Sequence, residues 1–300
     1  MIDKVLFLVP MHITMDSFLN PSENTRSYTK PDGRQYNSVR TDLPLGLLSM
    51  SAYIKKFVDV EVKVIDFNVE LSHAEGFPYE NFYDYCYDFL SSYEFKPDII
   101  WIPETWGMEN FSMLSLASKE NNFSKIGSSI INIYSRSPSL IAMGAATADT
   151  ISNGRLILGL GTSSQPIVED FHGYEFEKPV KRMKEYVEII RLILTGKKIN
   201  YSGDIFSLKD FSLLIKPPRN EIPIYLAAVN QKMVELAWKI ADGIIFYLRP
   251  KNDIKSLLSK MQNQRKIDAS IQIITSVNDD SERAITRAKK TLAFYVSVGK

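Results

Sequence analysis

Cysteine is nearly absent from this chain: Cys86 is the only one among 300 residues. A single thiol closes no internal disulfide and alone holds neither zinc nor an iron–sulfur cluster, so the expected compartment is the reducing cytoplasm. Histidine is scarce as well, with three residues. His12, His73 and His172 stand apart from any cysteine or carboxylate at ligand spacing, and no metal site is expected. Long apolar runs are also missing, since no stretch approaches the roughly 20 residues that cross a bilayer. The N-terminal MIDKVLFLVP has Asp3 and Lys4 ahead of its apolar run and no cleavage pattern behind it, so it reads as a buried strand rather than a leader. Neither sign of charge is in excess, because 36 Lys and Arg face 35 Asp and Glu for a formal charge of +1. That balance, without a basic stripe, speaks against nucleic acid or an anionic membrane as partner and leaves small ligands.

What is present is an ordinary globular composition, 45% hydrophobic and 24% charged, enough for one large domain or two small ones. Apolar runs rich in Val and Ile recur at 5–9, 60–67, 98–103, 126–133, 156–161, 222–228, 243–248 and 271–277. Each precedes a segment of helical spacing, at 45–57, 82–93, 111–119, 138–150, 179–194, 232–241, 254–265 and 281–295. This alternation predicts an α/β fold with a parallel sheet, and eight repeats is the number that closes a (β/α)8 TIM-type barrel. A doubly wound open sheet is the alternative. Two segments break the rhythm. Residues 11–43 are polar, with Pro21, Asn24, Pro31, Asp32 and Gly33, and are expected to form a long loop or lid. Residues 197–218 alternate around Ser202-Gly203-Asp204 and predict an inserted hairpin.

In a parallel barrel the chemistry gathers where the strands end. Here the ends read Pro103-Glu104-Thr105-Trp106-Gly107, Asn132-Ile133-Tyr134-Ser135-Arg136, Gly161-Thr162-Ser163-Ser164, Ala227-Ala228-Val229-Asn230 and Tyr247-Leu248-Arg249. Small and hydroxyl-bearing residues at such ends let a planar or phosphorylated ligand reach the backbone. Gly159 and Gly161 have a second reading, in which they only let a helix pack closely.

Four segments carry a resemblance: DIIWIPETWG, IINIYSRSPSLIAMGAATADTISNGRLILGLGTSS, FHGYEFEKPVKRMKEYVEIIRLILTG and IPIYLAAVNQKMVELAWKIADG. In order and spacing, from about Lys96 to Gly243, they resemble the bacterial luciferase-like monooxygenase superfamily, in particular its deazaflavin-dependent branch similar to methylenetetrahydromethanopterin reductase. The resemblance implies an oxidoreductase whose barrel holds coenzyme F420, a deazaflavin, or alternatively FMN, for hydride transfer to or from a small organic substrate. It implies a strand bulge that often carries a non-proline cis peptide, matched here to Ile130, Ile131 and Asn132, with the coenzyme ring against it. Glu104, Thr105 and Trp106 would border the ring, and Gly161, Thr162, Ser163, Ala227, Ala228 and Val229 would contact the ribityl chain and phosphate. Association into a homodimer through barrel helices is expected of the family.

Hydride transfer from such a coenzyme asks the protein mainly for alignment and exclusion of water. Glu104 is the only carboxylate of these strand ends, a candidate proton donor or substrate-orienting group whose other reading is a structural cap or salt bridge. Trp106 reads as pocket wall or core, and His172 as a pocket residue or a local hydrogen-bonder. Arg136 reads as a partner for an anionic coenzyme tail or as a surface arginine at a helix start.

Residues 1–95 do not share that resemblance. VLFLVP, RTDLPLGLLSMSAYIKKF, VEVKVIDFNVE and FKPDII resemble the cobalamin-binding-type Rossmann region found ahead of radical enzymes. Neither Cys-x3-Cys-x2-Cys nor Asp-x-His-x2-Gly accompanies them, so the residues for radical or cobalamin-ligating chemistry are missing. The luciferase-like family begins one strand before WIPETWG and ends one strand beyond residue 300, and the N-terminal segment offers two βα units in exchange. The expected organisation is therefore a βαβα segment over 1–95 and a barrel region over 96–300, joined in one rearranged barrel. A Rossmann-like N-terminal domain beside a partial barrel is the alternative. For function the alternatives are a cobalamin-type binding or methyl-transfer accessory protein and a non-catalytic barrel remnant.

Overall fold

Strands form where the Val- and Ile-rich runs are, and helices where the apolar spacing turns to three and four. The computed structural model describes residues 4–9, 18–20, 27–37, 61–66, 70–71, 76–91, 98–104, 107–120, 124–216, 218–219 and 221–272, with 282, 285–286, 288–290 and 292–293. The chain divides into two units, Met1–Asp98 with Thr275–Lys290, and Ile99–Ile274 with Thr291–Lys300.

In the first unit, strand β1 (Lys4–Val9) precedes a short antiparallel hairpin, β2 (Ser27–Thr29) and β3 (Gln35–Asn37). Strand β4 (Glu61–Asp66) pairs with β1 in parallel, from Lys4↔Glu61 to Val9↔Asp66, and helix α1 (Phe82–Ser91) follows. The hairpin turn is closed by Gly33 N–H donating to the Lys30 carbonyl at 2.9 Å, with Gly33 at φ +80°, a conformation that glycine adopts without steric cost. Phe18, Tyr36 and Phe77 are almost fully buried, and the Phe18 ring lies 5.0 Å from Tyr36 and 5.3 Å from Phe77. The stretch 11–43, expected to be a loop or lid, thus contributes a hairpin and part of an aromatic core. Its polarity belongs to the exposed turn at 31–35, which masks two buried rings. The expected helix at 45–57 lies outside the described residues, and within 281–295 the described residues are helical.

The second unit runs β5 (Ile99–Ile102), α2 (Asn110–Glu120), β6 (Lys125–Ser128), β7 (Ile131–Asn132), α3 (Pro138–Ile151), β8 (Leu156–Gly161), a π-helical turn (Ile167–Phe171) and α4 (Pro179–Leu194). It continues with β9 (Ile199–Ser202), β10 (Ser207–Phe211), β11 (Ile224–Ala227), α5 (Gln231–Ile240), β12 (Gly243–Tyr247), α6 (Lys251–Met261) and β13 (Asp268–Gln272). Helix starts follow local chemistry. Ser137 caps α3 by accepting from Leu140 N–H at 3.2 Å with Pro138 in the first turn, and Asn230 caps α5 by accepting from Met233 N–H at 3.0 Å.

The sheet order is β5-β6-β8-β11-β12-β13, all parallel, with β7 also on β8. This order follows the chain without the reversal that a doubly wound sheet requires. Side chains alternate across the sheet. Leu156, Leu158, Leu160, Ile224, Leu226, Ile244 and Phe246 join residues of α2 to α6 in the main core. Ile157, Tyr225 and Ile245 form a second cluster with Ile99, Trp101, Ile130 and Ala227, to which no helix contributes. Among the described residues helices therefore cover one face only, and the unit is a TIM-type α/β half-barrel. On its inner face the Trp101 and Tyr225 rings lie 5.6 Å apart, and the Tyr225 hydroxyl donates to Asp268 at 2.5 Å. The last strand begins three residues before the apolar run that predicted it, because β13 ends the sheet and is largely exposed, which frees it from the Val- and Ile-rich pattern. The predicted hairpin around Ser202-Gly203-Asp204 is present as β9 and β10.

Candidate functional site

Because the six neighbouring strands are parallel, their C-terminal ends share one edge. The edge is shaped by an irregularity between β6 and β7. Pairing with β8 runs to Gly127↔Ile157 and resumes at Ile131↔Leu160, so one strand advances four residues while the other advances three. That extra residue is a β-bulge. Within it the Ser128 hydroxyl replaces the interrupted ladder, accepting from Gly159 N–H and donating to the Gly159 carbonyl, both at 2.8 Å. The peptide bond between Ser129 and Ile130 is cis, directly ahead of the stretch Ile130 to Asn132 to which the sequence assigned it.

The bulge also accounts for the glycines of β8. A Cβ on Gly159 would stand 1.9 Å from the Ser128 carbonyl oxygen, and one on Gly161 would stand 2.5 Å from Ile130 Cδ1. Both missing side chains make room for the neighbouring strand, not for a helix.

Asn132 sits beside Gly161 in register, so its side chain is on the inner face. It is 7% exposed. Its Oδ1 accepts from Tyr134 N–H at 2.9 Å, while its Nδ2 is buried and has no partner among the described residues. The buried Ser164 hydroxyl is likewise unpaired. Thr162 is half-buried and its hydroxyl donates to the Ser163 carbonyl at 3.3 Å; Ser163 is exposed and holds φ +58°. Ala227 lies with the inner-face cluster, whereas Ile131 and Ala228 turn their side chains into the helix-side core. Val229 is 59% exposed, and its carbonyl accepts from Arg249 at 2.9 Å. Thr105 and Trp106 lie outside the described residues, as do His12 and His73. His172 is exposed at the end of the π-helical turn.

Glu104 is held on three sides. It accepts from Asn110 N–H at 3.0 Å and receives both terminal nitrogens of Arg136, Nη1 at 2.8 Å and Nη2 at 2.6 Å. Arg136 Nη2 also reaches Glu109 at 2.7 Å. The hydrogen bonds that Arg136 donates to Glu104 raise the guanidinium above its ordinary pKa, and the bidentate pair clamps the two charges together. It joins the end of β5 to the loop after β7 and the start of α2. The geometry agrees with the salt-bridge reading of Glu104, and it engages Arg136 with carboxylates of its own chain.

Sequence reasoning placed Tyr134 at a strand end without a role and passed over Arg182 and Tyr186 of α4, which stand behind the loop after Asn132. The only sequence signal of Arg182 and Tyr186 was their place in an amphipathic helix, which reads as surface and core. Among the described residues there is no group of three His, Cys, Asp or Glu that could hold a metal ion, and no helix is long and apolar enough to cross a membrane.

A singly wound parallel half-barrel with its small strand ends on one edge places the chain among the βα-barrel proteins. Residues 97–299 match the luciferase-like monooxygenases, and the chain belongs to that family. It is 34% identical over 209 residues to a 5,10-methylenetetrahydromethanopterin reductase of Archaeoglobus fulgidus, an alignment covering 67% of this chain and 62% of the relative. It is 27% identical over 209 residues to the enzyme of the same name from Methanolobus tindarius, covering 67% and 63%. The solved structure of a coenzyme F420-dependent tetrahydromethanopterin reductase from Methanopyrus kandleri aligns with a TM-score of 0.59 and 26% identity, over 66% of this chain and 64% of that one. The chain thus spans less than two thirds of the length of these relatives.

Proposed function

We propose that this chain is an oxidoreductase that binds the deazaflavin coenzyme F420 at the C-terminal edge of its half-barrel and moves hydride between it and a small organic substrate. The observation that carries this reading is the unpaired Nδ2 of Asn132. A buried donor left without an acceptor costs about 1–3 kcal/mol, a penalty that a ligand carbonyl at this position would remove. The relatives support the coenzyme's identity through their names. FMN is the alternative, since it presents a similar carbonyl-bearing ring and phosphorylated chain.

When bound, the coenzyme supplies the hydride chemistry. The chain's residues bind and orient. Asn132 donates to the ring, and Ile130 and Ala227 wall it on the inner face. Gly161, Thr162 and Ser163 offer backbone and hydroxyl groups to the phosphorylated chain, joined by the backbone of Ile131, Ala228 and Val229. Thr105 and Trp106 complete the ring's border in this proposal. Glu104, with both oxygens engaged, acts by holding Arg136 and the end of β5 in place rather than by giving up a proton.

The test is a fluorescence titration of coenzyme F420 and, separately, FMN into the wild-type chain and Asn132→Asp. Aspartate keeps the oxygen that Tyr134 N–H needs and puts an acceptor, charged when ionised, in place of the amide donor. The wild type is expected to bind one coenzyme at micromolar concentration, and the variant, measured at a temperature where it is folded, about 10- to 100-fold more weakly. Binding of neither coenzyme by the wild type overturns the function, whereas equal affinity in the two proteins removes Asn132 from the site.

A further inference from the structure

The hairpin β9–β10 stands outside the parallel sheet, yet a continuous line of contacts runs from it to the loop that carries Asn132. It begins at Glu185 on α4, a carboxylate 4% exposed. Glu185 accepts from the backbone N–H groups of Asp204 at 3.0 Å, Ile205 at 3.1 Å and Phe206 at 3.0 Å. A buried anion requires such bonds, and here all of them come from the hairpin turn. Lys181, one helical turn earlier, pairs with Asp204 on the same turn.

So pinned, Phe206 packs edge-on against Tyr186, with ring centroids 5.1 Å apart at 87°. It also lies 5.3 Å from the Arg182 guanidinium. Arg182 in turn covers Tyr134 at 4.6 Å, and the Tyr134 ring stacks on Phe176 at 5.2 Å. The Tyr186 hydroxyl donates to the Arg136 carbonyl at 2.6 Å. Tyr134 and Arg136 are both in the loop that follows Asn132, so α4 grips that loop at two points. Phe206 backs both grips.

The consequence reaches the site through one bond. Asn132 Oδ1 accepts from Tyr134 N–H, so the position of Tyr134 sets the plane of the Asn132 amide and the direction of its unpaired Nδ2. We infer that the hairpin Ile199–Phe211 is a brace that aims the Asn132 amide, with Phe206 as its positioning residue, an inference whose functional part rests on the coenzyme site proposed above.

The experiment compares the wild type, Phe206→Ala and the conservative Phe206→Tyr in the full chain, at a temperature where circular dichroism reports each as folded. Two quantities are read: hydrogen exchange of the amides at 133–136, and the dissociation constant for coenzyme F420. Phe206→Ala is expected to speed exchange at 133–136 by about tenfold and to weaken the coenzyme about tenfold, and Phe206→Tyr to restore both. Faster exchange confined to 199–211, with unchanged coenzyme affinity, overturns the brace. If Phe206→Ala does not fold, Tyr186→Phe removes only the hydroxyl on the Arg136 carbonyl, and its coenzyme affinity must fall for the brace to stand. Should the wild type bind no coenzyme, the proposed function fails, and the exchange at 133–136 still decides the brace.

Discussion

At the scale of single residues, close approach explains more of this site than side-chain chemistry does. Gly159 has no space for even one carbon, because the Ser128 carbonyl occupies it. Gly159→Ala is expected to cost about 3 kcal/mol or more, since backbone rather than a flexible side chain must move, and urea unfolding would measure it. The sequence marked this strand end as unusual but left a ligand and a packed helix as rival reasons. At Gly159 the close contact comes from a bulge in the next strand, about thirty residues away, which leaves no local signature beyond the glycine itself. Tyr186 gives a second residue-level expectation. Burial pushes its hydroxyl up to about 12, from an ordinary value of 10.0. A group whose pKa is raised on folding contributes fully below the unfolded value and loses its contribution as pH rises toward the folded one. Thermal stability should therefore decline between pH 10 and 12. Tyr186→Phe should flatten part of that decline, the remainder being shared by the other tyrosines that folding raises, among them Tyr134, Tyr201 and Tyr225.

Among the elements, strands and helices were largely legible because each carries its own period. The limits of α3 and α4 follow the predicted segments closely, helped by proline in their first turns. What failed to show was anything set by position in the sheet. β13 is largely exposed and so starts ahead of its apolar run, and β6 and β7 read as a single strand because a bulge does not change composition. The connections between elements depend on buried charge. Asp149, fully buried near the end of α3, accepts from Leu156 N–H at 3.1 Å and from Arg219 at 2.7 Å, tying α3 and β8 to the segment before β11. Asp149→Ala is expected to lower stability by about 2–4 kcal/mol, at the lower end for a broken buried pair because Arg219 is 31% exposed. Chemical denaturation would check it, and a loss below 1 kcal/mol would show that the pair is dispensable.

For the whole molecule, the count of strand–helix repeats pointed to a barrel, and the monotonic strand order bears out that class over Ile99 to Gln272. The family was readable from four separated segments. The N-terminal resemblance rested on VLFLVP, RTDLPLGLLSMSAYIKKF, VEVKVIDFNVE and FKPDII, and the parallel pairing of β1 and β4 within them is common to many parallel folds. A coenzyme bound at the strand ends should stabilise the native state by about 2.7 kcal/mol at a hundred times its dissociation constant, seen as a rise in melting temperature that saturates with concentration. A melting temperature indifferent to coenzyme would count against the site as a whole.

The order of strands β5 to β13 also bears on how the chain assembles. Each new βα unit pairs with the unit made just before it, so no strand waits for a partner from a distant part of the chain. The longest of these crossovers, from Gly161 to Ile224, carries a helix and a hairpin of its own, and the entropy of closing a loop rises only slowly with its length. During synthesis the half-barrel can grow unit by unit in the direction of translation, each helix sealing the apolar face of its strand before the next one emerges.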